Sequence, residues 1–350
     1  MADLLAARGV RTMVAYPAIA EQPRTLSGSA AIPVQLDTEL RTRRSRAAFA
    51  QFVRGENVKV VYLTDRPLWS FWYRGLRQAG VGKIIVHDHT SGMRSGPTGL
   101  RAALKRLIVN FDGFPADVIV GVSDFVVARD IRASLIAQQR FRRVWNGIEP
   151  PSARGETRGV RSILGIPAEV PVIGCACRAT REKGVDVLFR AFARMAPVGG
   201  NDPHLVYIGD GPLFSDLNAL RESLPCSDRI HMLGYRDGAA DLLADVTVCV
   251  VPSVWQEAFG LSVVEMMARQ RPVIATRVGG IPEIIEDGSS GVLVTSGDIE
   301  ELASALSSVC ASPALQTSLG RVARERANNF FSSEQQVAAM IATFQDVFAN

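Results

Sequence analysis

The sequence predicts an α/β protein made of two parallel, doubly wound domains. Three observations predict it. Short apolar runs alternate with amphipathic stretches of helical period along the whole chain, the pattern of repeated βαβ units. Several runs, such as residues 58–63, 117–122 and 205–208, are almost continuously apolar, as strands buried on both faces of a parallel sheet are. The chain has 350 residues, enough for two domains, and a polar stretch at 149–158 (EPPSARGETR) sits where a linker is needed.

Taken in order, residues 4–9 read as the end of a helix closing at Gly9, and 10–16 as a strand bounded by Pro17. A basic run, 41–46 (RTRRSR), lies in a helical stretch that ends near Gly55. Strands follow at 58–63 and 84–86, with an aromatic-rich helix between them; its Trp69, Phe71, Trp72 and Tyr73 are expected in the core. Residues 96–99 form a turn. The run 100–109 (LRAALKRLIV) is basic and apolar together and reads either as a packed helix or as one lying on anionic lipid. A buried strand at 117–122 leads into Ser123-Asp124, and Asn146-Gly147 turns the chain towards the linker. The second half repeats the pattern. It has strands at 170–177, 205–208, 230–233, 246–250, 272–275 and 291–294, and helices after Lys183, Pro212 and Gly260. Residues 332–348 form a last amphipathic helix. The domains are therefore placed at 1–148 and 149–331, with a final helix at 332–350 that, by the resemblance described below, would pack back on the first domain.

Composition narrows the function classes. Hydrophobic residues make up 47% of the chain, which supports a sizeable core. No apolar run reaches the length of a spanning helix, and the N-terminus has no secretory-signal pattern, so a cytoplasmic protein is expected. Five scattered cysteines fit a reducing compartment; Cys175 and Cys177 are read as facing opposite ways, poorly placed to pair. No Cys/His cluster has metal-ligand spacing, and no metal site is expected. The net charge of +4 is uneven: residues 1–150 hold 22 Lys+Arg against 12 Asp+Glu, the rest 17 against 23. A basic first half suggests an anionic acceptor or peripheral contact with the inner face of an anionic membrane rather than nucleic acid.

The chemistry concentrates at 251–294 (VPSVWQEAFGLSVVEMMARQRPVIATRVGGIPEIIEDGSSGVLV). Glu257 sits in a loop before a helix, and Glu265 lies about a turn inside it. Between them Phe259, Gly260 and Leu261 offer backbone N–H groups at the helix start, where free donors and the helix dipole favour an anion. Arg178 and Lys183 stand in the loop before another helix and together suit a diphosphate. His87 and His89 follow the strand at 84–86 in the run HDHTSG, at a strand end where functional groups collect in α/β folds. No Asp-x-Asp pair occurs, so the cations and the helix start would have to stabilise a departing diphosphate without a metal.

The ordered string of residues 251–294 resembles the donor-binding segment of glycosyltransferase family 4, retaining nucleotide-sugar enzymes of the two-domain GT-B fold, whose Rossmann-like domains face a cleft. The resemblance implies that Glu257 lies by the donor sugar and Glu265 holds the ribose hydroxyls. It also implies that Arg178 and Lys183 bind the pyrophosphate. The backbone around Gly234 and Tyr235 would recognise the base, and a histidine, His87 or His89, would stand at the reaction centre. Family members open with a strand and a Gly-rich loop, so the resemblance implies that these are missing before residue 4.

The resulting expectation is a metal-independent, retaining glycosyltransferase of hexosyltransferase type. It would move a sugar from a nucleotide-diphosphate-sugar to a hydroxyl of a glycan or lipid-linked acceptor, as in polysaccharide or lipopolysaccharide biosynthesis, with no cofactor. Two alternatives stay open: a nucleotide-sugar epimerase on the same fold, and a non-catalytic nucleotide-sugar-binding protein.

Overall fold

The computed structural model describes residues 6, 9–19, 29–111, 113–151, 158–195, 198 and 200–349. The helix expected at 4–9 falls mostly outside the described residues; Gly9 does close a turn, its N–H donating to the Ala6 carbonyl at 3.0 Å. The chain divides into two compact units. The first holds residues 1–87, 96–120 and 133–141, and the second 88–95, 121–132 and 142–350. This division differs from a single cut at 148/149. The segments 88–95 and 121–132 join the second unit because they hydrogen-bond to each other and to its loops, as described below.

In the first unit β1 (Met13–Tyr16) and β2 (Ile32–Gln35) form a parallel pair. A separate sheet has the order β3 (Val60–Thr64), β4 (Lys83–Asp88), β5 (Val118–Gly121), β6 (Phe141–Arg143), with most of its residues in this unit. Strands β3 and β4 run parallel, pairing Thr64 with His87. Of the helix expected to bury four aromatics, Tyr73 is buried but Phe71 is exposed. The helix begins only at Phe71, capped by Ser70, so Phe71 lies at its open first turn.

The second unit carries a six-stranded sheet formed by β7 (Val172–Ala176), β8 (His204–Ile208), β9 (Ile230–Met232), β10 (Val248–Val251), β11 (Val273–Thr276) and β12 (Val292–Val294). Their order is β12-β11-β10-β7-β8-β9 and every neighbour is parallel. Successive residues of a strand face opposite sides, so each strand feeds two cores. Ile173, Leu205, Val248 and Ile274 pack with the Val185–Phe192 and Ile299–Ala311 helices. Val172, Val206, Cys249 and Val273 pack with the Leu261–Ala268 helix and the end of the Pro313–Phe330 helix. The fold class is thus the expected parallel α/β one. Two helices, Ile299–Ala311 and Pro313–Phe330, go beyond the sequence reading, although each has a side-chain N-cap, from Asp298 and from Ser312. The last helix, Ser333–Ala349, is counted with the second unit, and Gln336 near its start accepts from the Gly147 N–H at 3.0 Å.

The cysteine expectation is overturned. Residues two apart in a strand share a face, and the Cys175 and Cys177 sulfurs lie 3.8 Å apart, both as free thiols.

Candidate functional site

The order of the six-stranded sheet reverses between β7 and β10: one half of the unit winds outward from β7, the other from β10. Loops leaving the carboxyl ends of two such strands diverge and leave room for a ligand. Arg178 lies just beyond β7, and Ser253 to Glu257 just beyond β10. Topology thus brings together residues far apart in sequence: 74 positions separate Lys183 from Glu257.

That pair is the centre of the site. Lys183 Nζ lies 2.6 Å from Glu257 Oε1, and the Ser253 hydroxyl donates to the same oxygen at 2.6 Å. Ser253 is itself fixed: its carbonyl accepts from the Thr276 hydroxyl at 2.6 Å. The two loops also meet through the Val254 N–H, which donates to the Glu182 carbonyl at 2.9 Å. Gly184 makes this approach possible. It has a φ of +61°, and a Cβ there would collide with the Pro252 carbonyl oxygen. Arg178 is exposed and its guanidinium has no ion-pair partner among the described residues.

The backbone of residues 256–258 is held from several sides. The Gly280 N–H donates to the Glu257 carbonyl at 2.9 Å, and the Gly279 N–H to Gln256 Oε1 at 2.7 Å. Gly279 has a φ of +55°, and a Cβ there would strike the Glu257 carbonyl. The Gly92 N–H donates to the Gln256 carbonyl at 2.7 Å, and the Ala258 N–H to the Ser91 hydroxyl at 3.2 Å. Ser123 donates to the Ala258 carbonyl at 2.6 Å while accepting from the Val126 N–H, so one hydroxyl caps a helix and anchors this loop.

Past the loop, the Leu261–Ala268 helix begins at Gly260. The N–H groups of Phe259, Gly260 and Leu261 donate to no acceptor among the described residues. The Phe259 ring is buried against Phe331 at 5.7 Å, so only its backbone is available to a ligand. Glu265 is half-buried, and its carboxylate accepts no hydrogen bond among the described residues. Burial raises its pKa, the Arg269 charge opposes that, and Asp241 adds to it. Gly234 has a φ of +67° and its carbonyl accepts from the Gly209 N–H at 2.9 Å, while Tyr235 is exposed, its hydroxyl 2.6 Å from Asp237.

The two histidines occupy different settings. His87 is buried at the end of β4 in the first unit, its Nδ1 hydrogen-bonded to the Tyr62 hydroxyl. His89 is half-buried in the 88–95 segment of the second unit, the segment that Ser91 and Gly92 tie to residues 256–258.

Sequence reasoning missed two sets of residues around this site. The first grips the 88–95 segment. Arg129 is buried and its guanidinium donates to the Thr90 carbonyl at 2.6 Å and the Gly92 carbonyl at 3.1 Å. It also pairs with Asp88 at 3.1 Å and Asp130 at 3.0 Å, and Arg94 bridges the same two carboxyls at 2.8 and 3.0 Å. Burial and the neighbouring Asp88 push the Asp130 pKa up to about 7. Burial works against ionisation of Asp88 too. Hydrogen bonds from Asp130 and Thr90, with the Arg94 charge, nevertheless hold its carboxyl below the usual range. The pair shares its proton unequally. The second is Glu283, the glutamate of the Gly-Gly-Ile-Pro-Glu turn. Its carboxylate accepts from the backbone N–H groups of Asp124 and Phe125, both at 2.8 Å, and from Trp145 Nε1 at 3.0 Å. It caps the Asp124–Ser134 helix from a distant part of the chain. It stands in the 251–294 string, but nothing local in the sequence shows what it bonds.

Residues 170–312, which hold Arg178, Lys183, Gly234, Glu257 and Glu265 but not the 88–95 segment or Ser123 and Arg129, match the family described as glycosyl transferases group 1. The chain is 36% identical over 165 residues to N-acetyl-alpha-D-glucosaminyl L-malate synthase of Bacillus anthracis, covering 47% of this chain and 42% of that one. It is 33% identical over 267 residues to a D-inositol 3-phosphate glycosyltransferase of Saccharomonospora viridis, covering 71% of this chain and 57% of that one. The chain spans about half the length of the curated relatives it matches. Its fold matches the crystal structure of a glycosyltransferase from Rickettsia africae with a TM-score of 0.85 at 19% identity, covering 100% of this chain and 93% of that one. The six-stranded sheet and the loops beyond β7 and β10 lie within residues 170–312, the segment of this chain that matches the glycosyl transferases group 1 family.

Proposed function

We propose that the chain is a retaining glycosyltransferase that moves a sugar from a nucleotide-diphosphate-sugar to a hydroxyl acceptor. The observation that carries this reading is the arrangement at the switch point. Lys183 and Glu257 are paired beside a helix start with undonated N–H groups, and one turn on stands the unengaged carboxylate of Glu265. A diphosphate suits Arg178, Lys183 and the N–H groups of Phe259 to Leu261, because cations and aligned donors favour the negative charge that grows on the leaving group. Glu265 would accept from the ribose hydroxyls. Gly234 and Tyr235 would border the base.

Lys183 has two claims on it in this reading. When a diphosphate draws its ammonium away, Glu257 loses one partner and is left with Ser253, free to accept from hydroxyls of the donor sugar. His89 is the histidine we assign to the reaction centre, because its segment is tied to residues 256–258, whereas His87 is buried and engaged by Tyr62. The relatives act on acceptors as different as malate and inositol phosphate by their names, so the acceptor here is left as a hydroxyl of a glycan or lipid-linked molecule. A lipid-linked acceptor would suit work at a membrane face, and the basic first half fits an anionic one.

Calorimetric titration with a panel of nucleoside diphosphates and nucleotide sugars tests the reading. One nucleotide sugar should bind in preference to the rest. Losing a charged hydrogen bond costs about 1.5–3 kcal/mol, so Glu265→Ala should weaken that binding about 10- to 100-fold. Arg178→Ala and Lys183→Ala should slow hydrolysis or transfer of the donor by similar factors. Wild-type affinity in the first variant together with wild-type turnover in the other two would sink the assignment. Epimerised donor without an acceptor requirement, or tight donor binding with no turnover, would instead favour the two alternative activities.

A further inference from the structure

The helix Gly99–Val109 in the first unit is amphipathic in the wrong sense for a packed helix. Its inner side is set by Val109, which is fully buried, and by Lys105, whose Nζ donates to the Ala133 carbonyl at 2.7 Å. Residues 100, 104 and 107 fall on one line along a helix, opposite Val109. In this chain that line reads Leu100, Leu104 and Leu107, exposed by 87%, 59% and 74%, and Phe111, just past the helix end, is 58% exposed. The apolar strip continues sideways. The Phe111 ring packs tilted against Phe114 at 5.6 Å, Phe114 meets Phe71 edge to face at 4.8 Å, and Phe71 is itself 63% exposed. An apolar groove of 370 Å³ runs between these rings, Leu107 and Ile108. Monomeric soluble proteins rarely leave so many large apolar side chains contiguous and uncovered.

We infer that this face docks on the surface of an anionic lipid bilayer. Three facts choose that occupant. The exposed Arg101 and Arg106 flank the strip, one on each side, so cations would rest among headgroups as the leucines enter the acyl boundary. Residues 89–111 contain no Asp or Glu, so nothing in the helix or the run before it repels an anionic surface. The first 150 residues as a whole carry 22 Lys+Arg against 12 Asp+Glu, a long-range field of the same sign. A second copy of the chain fits less well. An eleven-residue helix is only about 16 Å long, so a strip one side chain wide falls well short of the roughly 800 Å² per partner that a stable dimer buries. The surface is independent of the donor-site reading.

The test uses the full chain and co-sedimentation with phosphatidylcholine vesicles, with and without phosphatidylglycerol. The chain should pellet with the anionic vesicles and far less with the neutral ones. The double variant Leu104→Asp, Leu107→Asp places charge at exposed positions and should lower the partition by about tenfold or more. The Arg101→Gln, Arg106→Gln pair should lower it on anionic vesicles only. Nucleotide-sugar binding, measured in parallel, should be unchanged in both variants, so a failed donor site and a failed docking face are told apart. Equal pelleting of wild type and the leucine variant would overturn the inference. So would equal pelleting on both vesicle types. A concentration-dependent dimer in sedimentation velocity that the leucine variant abolishes would also overturn it, in favour of a second copy.

Discussion

Removing the Glu283 carboxylate should cost the protein more than any surface glutamate would. Glu283 serves three donors at once: the Asp124 and Phe125 backbone N–H groups and Trp145 Nε1. The first two are orphan donors at the start of the Asp124–Ser134 helix, and losing an N-terminal cap costs about 1 kcal/mol. The charge beside the helix start adds about 0.5 kcal/mol. The half-buried indole N–H left without an acceptor adds about 1 kcal/mol more. Glu283→Ala should therefore lose about 2–3 kcal/mol, and at about 2–4 °C per kcal/mol for a unit of this size the Tm should fall by roughly 4–12 °C. Glu283→Gln keeps an acceptor oxygen but not the charge, and should lose about 1 kcal/mol. Differential scanning calorimetry of the three proteins at one pH decides it. A Tm for Glu283→Ala within about a degree of wild type, or equal losses in Ala and Gln, would refute the capping argument.

Two further expectations concern the same unit. Gly279→Ala forces a Cβ onto the Glu257 carbonyl at a positive φ; it should cost about 2–4 kcal/mol and weaken donor binding at least about tenfold, and a variant with wild-type Tm and affinity would count against the packing described. Asp130 has a folded-state pKa of about 7, above its unfolded value, so the folded protein binds the extra proton and stability falls as pH rises from about 4 to 7. Asp130→Asn cannot ionise, so its Tm relative to wild type should climb across that range and level off above it; parallel Tm–pH curves would show that Asp130 does not hold the raised pKa.

Much of the fold was legible because buried parallel strands advertise themselves locally. A run such as Val172–Ala176 is apolar on both faces, and no surface strand reads that way. The helices Ile299–Ala311 and Pro313–Phe330 are marked just as locally, by Asp298 and Ser312 capping their starts. Cys175 and Cys177 were misread through the strand period itself. The candidate site divides differently. Glu257, Glu265, Arg178 and Lys183 could be singled out because each sits beside a helix start, a local pattern. Their partners could not. The Lys183–Glu257 pair, Glu283 on Asp124 and Arg129 on Thr90 and Gly92 join segments far apart in sequence, and only the sheet order brings those segments together.

Those long-range bonds share one consequence. Among the described residues, every hydrogen bond to residues 256–258 from outside their own loop, except the Lys183 contact, falls on the backbone or on Gln256. The supports behind them are buried or fixed in turn: Glu283 holds the start of the helix that carries Arg129, and Arg129 holds the carbonyls on either side of Ser91. The Glu257 carboxylate, by contrast, meets only Lys183 and Ser253 among the described residues. A rigid backbone with a lightly held side chain is what a ligand-gated carboxylate needs, because the group can change partners without the loop moving. The same arrangement predicts where damage will spread. Substitutions at Glu283, Arg129 or Gly279 should disturb the position of Glu257 and so affect binding and turnover together. Substitutions at Lys183 or Ser253 should leave the loop in place and change only what the carboxylate meets.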